Sequence, residues 1–517
     1  MGRMTMANGH EIELKLAATP LMLARLKQLD SLQADSRHKQ FSTVYYDTPD
    51  RRLAAAHLAL RVRDDGSSFE ITLKRAAAGK AVARAEWSAL MGGAVADGEP
   101  PDLGALPPDA VHLVTAAAKG VALGPVFSLA IEREVRTLSY GRSQIELAFD
   151  QGQVTVGAKA QPVCELELEL MSGTLKDLLG LARALPLGPD LYWSITSKSA
   201  LGYRLADGGA PVAVKARPVR LPVNSGTRAA LRHVVWASVS QFLSNMDAVT
   251  QAGLSEGLHQ MRVSLRRLRV ALRLGHGLLG DPDVPVLDAE WGAAIGQMGT
   301  ARDLDVILAR LGKAADGGEA SIEVQQALTQ ERAEAYAAVV RLVQSAAFQH
   351  LLVGTVHWAE QLGPSHPDDA PLDEAARALL KSWRRKLRHK SADLADLSPE
   401  ARHRVRIGLK RLRYAMEFFT SLSRDPTRKT LDRLRLDRLA DAQEHLGDLN
   451  DLDVSATLGA RLNGDPIHRA AILEALTAAN RDRRRDVPKL LTKAQDAVDV
   501  ALAKRKTIKL RASAKQR

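Results

Sequence analysis

A chain of 517 residues is longer than one ordinary core organises, and its 45% hydrophobic and 26% charged residues are the balance of a folded protein, not a disordered one. A single cysteine, Cys164, excludes an internal disulfide, while a polar start and interrupted apolar runs argue against a secretory signal or a membrane span; together these point to the cytoplasm. Residues 1–210 hold 23 Lys+Arg against 24 Asp+Glu and residues 211–517 hold 49 against 36, so the net +12 lies in the second part and would draw a polyanion: nucleic acid, an anionic membrane or polyphosphate.

From the start of the chain, short alternating runs predict strands at His10–Leu16, Leu58–Arg63, Phe69–Lys74, Ala83–Ser88, Ile131–Leu138, Gln144–Asp150 and Val163–Leu170. Helical patterns intervene at Thr19–Asp30, where Thr19 can cap and Pro20 fits the first turn, and at Leu175–Ala184. That is an α+β domain rich in antiparallel strands, over about residues 8–205. Residues 206–223, with Pro211, Pro218 and Pro222, read as a linker. A helical domain follows over 224–505, with breaks near Gly280–Pro285, Gly363–Pro371 and Gly464–Pro466. Residues 506–517 form a basic tail.

Glu11-Ile-Glu13-Leu-Lys15 places two carboxylates and an ammonium on one side of a strand, and Glu165, Glu167 and Glu169 do the same with three carboxylates. Arg61-Val-Arg63, Thr72-Leu-Lys74, Arg84-Ala-Glu86 and Arg133-Glu-Val-Arg136 add cations. Each strand alone is consistent with a solvated amphipathic face. Taken together, the repeated acidic and basic sets also fit a sheet closed into a barrel with its charges inward. Such an interior would need divalent metal for the carboxylates, Mg²⁺ or Mn²⁺ by their hard oxygen donors, and phosphate oxygens for the cations. No GxxxxGK[ST] loop is present, so a P-loop ATPase is not supported.

The run Glu11-x-Glu13-x-Lys15 resembles the ExExK signature of CYTH, or triphosphate tunnel metalloenzyme, domains. The resemblance continues in family order through Tyr46-Asp47-Thr48-Pro49, Leu58-Ala-Leu-Arg61-Val-Arg63, Thr72-Leu-Lys74, Ile145-Glu146 to Asp150-x-Gly152, Cys164 to Glu169, and Ser197-Lys198-Ser199. It implies an eight-stranded antiparallel β tunnel barrel with flanking helices. It also implies metal ligation by Glu11, Glu13, Asp150, Glu165 and Glu167, and a catalytic role for Glu11, Glu13 and Lys15. Lys15, Arg61, Arg63, Lys74, Arg133 and Lys198 would hold the triphosphate, with Arg136 and Lys39 as further candidates and Glu169 either a third carboxylate of the interior or the end of the ladder. The implied chemistry is metal-assisted hydrolysis of a phosphoanhydride.

The helical part carries an internal repeat. His259-Gln-Met-Arg262-Val-Ser-Leu-Arg266-Arg267-Leu-Arg269 matches His403-Arg-Val-Arg406-Ile-Gly-Leu-Lys410-Arg411-Leu-Arg413, and Gly299 to Val306 matches Gly447 to Val454. Two copies of one helical unit are expected, over about 224–365 and 370–505. At helical spacing His259, Arg262, Arg266, Arg269 and Arg273 form a basic stripe beside the apolar stripe Met261, Leu265, Leu268 and Leu272. His403, Arg406, Lys410 and Arg413 repeat it beside Val405, Leu409, Leu412 and Met416. Asp303/Asp305 and Asp451/Asp453 would neutralise such a stripe if it is a salt-bridged face. The duplicated motif looks like the CHAD domain, a resemblance that implies an all-α duplicated helical-bundle domain binding inorganic polyphosphate through His259, Arg262, Arg266, Arg269, His403, Arg406, Lys410 and Arg413. Arg267, Arg385, Arg388 and Arg411 are further candidates.

The expected activity is hydrolysis of inorganic tripolyphosphate with Mg²⁺ or Mn²⁺, joined to polyphosphate binding and a location in the cytoplasm or at polyphosphate granules. A non-catalytic polyphosphate-binding protein and a CYTH enzyme acting on thiamine triphosphate or ATP are the alternatives. Aromatic residues at 4% and the lack of a base-stacking array argue against nucleic acid. Chain-length preference, oligomeric state and any regulation of one domain by the other are not legible.

Overall fold

The computed structural model describes residues 10–76, 83–96, 98–221, 225–314, 319–363, 372–422, 425–458, 474, 477 and 480–503. The chain divides into two compact units. The first comprises Met1–Val214, Val239–Gly257 and Val343–Gln361; the second comprises Lys215–Ser238, Leu258–Leu342 and Leu362–Arg517.

The first unit is an antiparallel sheet with helices. Its strands are β1 (His10–Ala18), β2 (Ser36–Asp47), β3 (Leu58–Asp64), β4 (Phe69–Ala76), β5 (Ala83–Met91), β6 (Gly124–Tyr140), β7 (Ser143–Val156), β8 (Lys159–Ser172) and β9 (Leu191–Trp193). They lie in the order β5-β4-β3-β2-β6-β7-β8-β1-β9, and β5 also pairs with β1, His10 opposite Ala85 and Ile12 opposite Ala83. The strands read from alternation are present, several of them longer than their patterns. β2 had no such pattern: Ser36 to Gln40 are all polar and all exposed, and burial begins only at Phe41.

One face of β3 and β4 is apolar. Leu58, Leu60, Val62, Ile71 and Leu73 pack there with Ala110 and Val114 of the helix Pro108–Ala118. Earlier in the chain, α1 (Pro20–Lys27) starts as expected, with Thr19 accepting from the Met22 amide at 3.3 Å and Pro20 in the first turn. Asp47, at the end of β2, accepts from the amides of Thr48, Leu53 and Ala54 and from the Tyr203 hydroxyl, which fixes the turn into α2 (Arg52–Ala55). The helix Pro108–Ala118 is α3, α4 spans Leu175–Ala184, and α5 spans Lys198–Asp207. Ser197 caps α5 by accepting from the Ala200 amide, and Gly208 at φ 63° closes it in the left-handed region. The unit also takes in α7 (Met246–Thr250), which follows α6 (Thr227–Leu243), and the whole of α12 (Ala346–Gln361).

Among its described residues the regular elements of the second unit are all helices. Between α7 and α12 the chain forms α8 (Ser255–Leu279), α9 (Val284–Gln297), α10 (Gly299–Ala314) and α11 (Glu319–Gln344). After α12 come α13 (Leu372–Lys390), α14 (Pro399–Phe419), α15 (Pro426–Leu458), α16 (Arg481–Arg485) and α17 (Val487–Leu502). The first copy of the repeated His-x2-Arg motif falls on α8 and the second on α14. The stretch Gly299 to Val306 begins its own helix, α10, whereas Gly447 to Val454 lies inside the 33-residue α15. The apolar stripes are the core: Met261, Leu265, Leu268 and Leu272 are buried, as are Val405, Leu409, Leu412 and Met416. The break expected near Gly280 is present, with Gly280 at φ 69°; the one near Gly464 and the basic tail lie outside the described residues. Among the described residues no single helix is long and apolar enough to cross a membrane.

Candidate functional site

Register decides which charges meet, because alternate side chains of a strand share a face. Glu165 of β8 stands opposite Asp150 of β7, Glu167 opposite Lys15 of β1, Glu169 opposite Glu13, and Arg133 of β6 opposite Asp150. In the other half of the sheet Arg61 and Arg63 of β3 stand opposite Thr72 and Glu70 of β4, and Lys74 opposite Glu86 of β5. These positions alternate with the apolar ones of the same strands, so the charges share the sheet face away from α3. Glu13, Lys15, Arg61, Asp150, Glu165 and Lys198 are all buried. Charges survive at that depth only when paired or joined by a counter-ion.

At the centre Asp150, Glu165 and Glu167 offer oxygens within 4.8 Å of one another. Lys198, the first residue of α5, reaches into them: its Nζ lies 2.7 Å from Asp150 Oδ2 and 2.8 Å from Glu167 Oε1, and it donates to Glu165 Oε1. Arg133 forks onto Asp150, with Nε and Nη2 each 2.6 Å from a carboxylate oxygen, and Nη2 also lies 2.7 Å from Glu167 Oε2. The Lys15 ammonium is 3.7 Å from Glu165 Oε2 and donates to the Thr196 carbonyl. Burial alone would depress Lys198 and Arg133, but the carboxylates outweigh it and raise both well above their usual range. Burial pushes the Glu165 carboxyl up. Glu167 feels the same burial, yet Lys198 and Arg133 hold it well below the usual carboxylate range.

The neighbouring half sets Arg61, Arg63 and Lys74 beside Glu70 and Glu86. Burial, then the neighbouring Arg61 and Arg133 charges, lower Arg63 to about 9. Its guanidinium lies over the Phe41 ring at 4.3 Å and only 4.0 Å from Glu70, and its buried Nε has no hydrogen-bond partner among the described residues. Lys74 is 2.9 Å from Glu86, and Arg61 is 4.0 Å from the same carboxylate. The oxygen-only trio therefore suits a hard divalent cation, and the arginines beside it suit an anion.

Of the residues singled out in sequence, Glu13, Lys15, Arg61, Arg63, Lys74, Arg133, Asp150, Glu165, Glu167 and Lys198 thus come together. The Glu11 side chain lies outside the described residues. Lys39 is exposed on β2 and Glu169 is half-buried. Arg136 sits on the opposite face from Arg133, three positions away, where it pairs with Glu134 at 2.6 Å and donates to the Leu32 carbonyl. Sequence reasoning passed over Glu86, which sits in a run read for its cations and is recoverable by the parity of β5. It also passed over Phe41 and the Thr196 carbonyl, and a backbone acceptor leaves no signal in sequence.

In the second unit the basic stripe is partly engaged by protein groups. Arg269 donates to Asp288 at 2.8 and 3.1 Å, and Arg273 lies 2.8 Å from the same carboxylate. Arg262 donates to the Ile295 carbonyl at 2.7 Å, Arg413 lies 3.2 Å from Glu417, and His403 bonds Asn450. Asp288 is thus the partner that sequence did not name. Asp305 turns instead to Arg332, at 2.7 Å, and to the Tyr336 hydroxyl; the Asp451 and Asp453 side chains lie outside the described residues. The two helices still crowd cations together. Burial depresses Arg267 of α8, with Arg413 of α14 adding to it; burial and Arg273 of α8 depress Arg411 of α14. Arg262 is lowered to about 10 by burial and Arg266, whose own buried Nε has no hydrogen-bond partner among the described residues.

Residues 9–203 match the CYTH domain family and residues 233–460 match the CHAD domain family. The chain is 33% identical over 201 residues to an inorganic triphosphatase of Haemophilus influenzae, an alignment that covers 38% of this chain and 54% of the relative. The chain thus spans about half the length of that curated relative. Among solved structures it is similar to the CHAD domain from the plant Ricinus communis (26% identity, TM-score 0.49, 56% of this chain and 96% of the other). It is also similar to PptA from Streptomyces chartreusis (20% identity, TM-score 0.38, 53% and 99%).

Proposed function

We propose, from the premise that the chain carries a CYTH domain on its N-terminal side and a CHAD domain on its C-terminal side, that it hydrolyses inorganic tripolyphosphate on the charged face of its sheet and binds inorganic polyphosphate through its basic helices. The observation that carries this reading is the juxtaposition of the Asp150, Glu165 and Glu167 oxygens with the under-partnered Arg63. The β1–β5 pairing supports a closed eight-stranded barrel whose interior is this face. Asp150, Glu165 and Glu167, with Glu13 and Glu11, would hold Mg²⁺ or Mn²⁺. Such an ion supplies phosphate charge neutralisation and a more acidic bound water.

The side chains divide the remaining work. Arg61, Arg63 and Lys74 bind and orient the phosphates, and their fixed positive charge offsets negative charge spread over the phosphate oxygens as the bridge breaks. Arg133 and Lys198 hold the carboxylates in place. Lys15, held by Glu165 and the Thr196 carbonyl, adds a cation beside the carboxylates. In the helical unit, Arg262, Arg266, Arg269, Arg406, Lys410 and Arg413, with His259 and His403, would meet a longer phosphate chain, consistent with cations of α8 and α14 that depress one another. Cys164 is half-buried and burial, with the Glu165 charge, pushes its thiol up to about 11, so nothing activates it as a thiolate; a single cysteine of that kind fits the cytoplasm.

The test is phosphate release from tripolyphosphate, thiamine triphosphate and ATP by the full chain, with and without EDTA. The reading requires chelator-sensitive release with tripolyphosphate preferred. Preference for either other substrate relocates the specificity. Tight tripolyphosphate binding without release from any of the three leaves a binding protein instead.

A further inference from the structure

Lys198 and Lys15 owe their positions to the short connection between β9 and α5, residues 194–197, and that connection is held by a carboxylate about fifty residues further along the chain. Asp247 of α7 accepts from the Thr196 hydroxyl at 2.6 Å and, on the same oxygen, from Arg204 Nη1 at 2.9 Å. Thr196 is the residue whose carbonyl accepts from Lys15, and it lies two residues before Lys198. Arg204 lies six residues after Lys198, and at about 100° per residue that puts it about 120° around α5 from Lys198. The two bonds therefore hold the helix at its entry and at a second point around its circumference, which sets its rotation about its own axis. α7 is anchored in turn, because Asn245 accepts from the Val214 amide at 2.8 Å and donates to the Val214 carbonyl at 3.0 Å.

We infer that Asp247 is a positioning residue for the charged face: by fixing the Thr196 turn and the rotation of α5, it holds Lys198 among Asp150, Glu165 and Glu167 and Lys15 against Glu165. The inference rests on the reading of this face as a triphosphate site. Asp247 touches neither the carboxylates nor the arginines described above, and its side chain is 23% exposed, so the apolar core does not depend on it. What does depend on it is geometry. Without Asp247 the Thr196 hydroxyl and Arg204 turn to solvent, α5 gains freedom to rotate, and the Lys198 ammonium shares its time between the carboxylates and other positions.

The experiment is a double-mutant cycle on the full chain, Asp247→Ala against Lys198→Met, read in the dissociation constant for tripolyphosphate by titration calorimetry without divalent metal and in the midpoint of thermal unfolding. Positioning predicts that Asp247→Ala weakens tripolyphosphate by about tenfold at temperatures where the chain is fully folded. Asp247→Asn, which still accepts from Thr196, recovers most of that loss. Added to Lys198→Met, Asp247→Ala costs clearly less affinity than it does in wild type, the remainder being what it does through Lys15. Unchanged affinity in Asp247→Ala, or additive losses in the cycle, overturns the inference. A wild type that binds no tripolyphosphate without metal and releases no phosphate from it with Mg²⁺ or Mn²⁺ overturns the functional reading instead. Where metal-free binding is absent, the cycle is judged on unfolding midpoints, where the effect of Asp247→Ala must shrink in the Lys198→Met background and full additivity overturns the inference.

Discussion

Arg63 and Arg133 carry the same guanidinium on the same sheet face, but Arg133 sits on Asp150 and Glu167 at 2.6–2.7 Å while Arg63 has Glu70 only at 4.0 Å. Removing one partner of a buried pair strands the other charge, so Arg133→Met should cost about 3–5 kcal/mol in denaturant unfolding. Arg63→Met removes a buried cation that burial and like charges oppose, and should change stability by less than about 1 kcal/mol or raise it. The pH dependence follows from the same difference. Arg63 is lowered to about 9, so below that pH it is charged and the free fold bears the cost of burying it; raising the pH through 9 relieves that cost. An anion needs the charged form. Tripolyphosphate affinity should therefore fall between about pH 8 and about pH 10 in wild type and not in Arg63→Met, as read by calorimetry at constant ionic strength. That Arg63 shares a strand face with Arg61 was legible from the alternation Arg61-Val-Arg63. That it is the under-partnered member was not, since this depends on distances across strands.

α5 shows what a helix adds to a sheet. Leu201, Tyr203 and Leu205 pack against Phe41, Phe127, Leu129 and Val163, and Lys198 enters the carboxylates from the first turn. Gly202 permits that approach: a Cβ there would come within 2.1 Å of the Phe127 ring. Gly202→Val should destabilise the protein by about 2–3 kcal/mol and, by displacing α5, lower the rate of phosphate release by more than the loss of folded protein accounts for. Both are measurable on one sample by unfolding and by initial rates at a temperature where folding is complete. The sequence offered Ser197-Lys198-Ser199 only as a motif, with no helix assigned, because α5 is ten residues long with a mixed polar and apolar composition. β2 escaped for the related reason that its first half is polar on both faces. Long periodic elements such as α8 and α14 were plain, because a buried stripe at helical spacing is a property of sequence itself.

For the molecule as a whole, the charge asymmetry read from composition has a structural counterpart: the sheet unit sets most of its described buried cations against carboxylates, Arg63 excepted, whereas α8 and α14 gather cations that depress one another. The order of a strand-rich part followed by a helical part was legible, since periods of 2 and 3.6 differ at every position. The compact units were less so, because Val239–Gly257 and Val343–Gln361 fold with the sheet although they follow the proline-rich stretch. Their ties to it include polar contacts that leave no pattern in sequence, Asp247 to Thr196 and Arg204 and Gln349 to the Trp193 amide at 2.9 Å. The central claim is that the charged sheet face is a metal-dependent phosphoanhydride hydrolase site. The measurement that tests it most directly is phosphate release from tripolyphosphate with Mg²⁺ and then Mn²⁺, wild type beside Glu165→Gln/Glu167→Gln, each confirmed folded. The account predicts release in wild type that EDTA stops and a fall of at least about a hundredfold in the double variant. Equal rates in the two proteins, or no release from wild type with either metal, would contradict it.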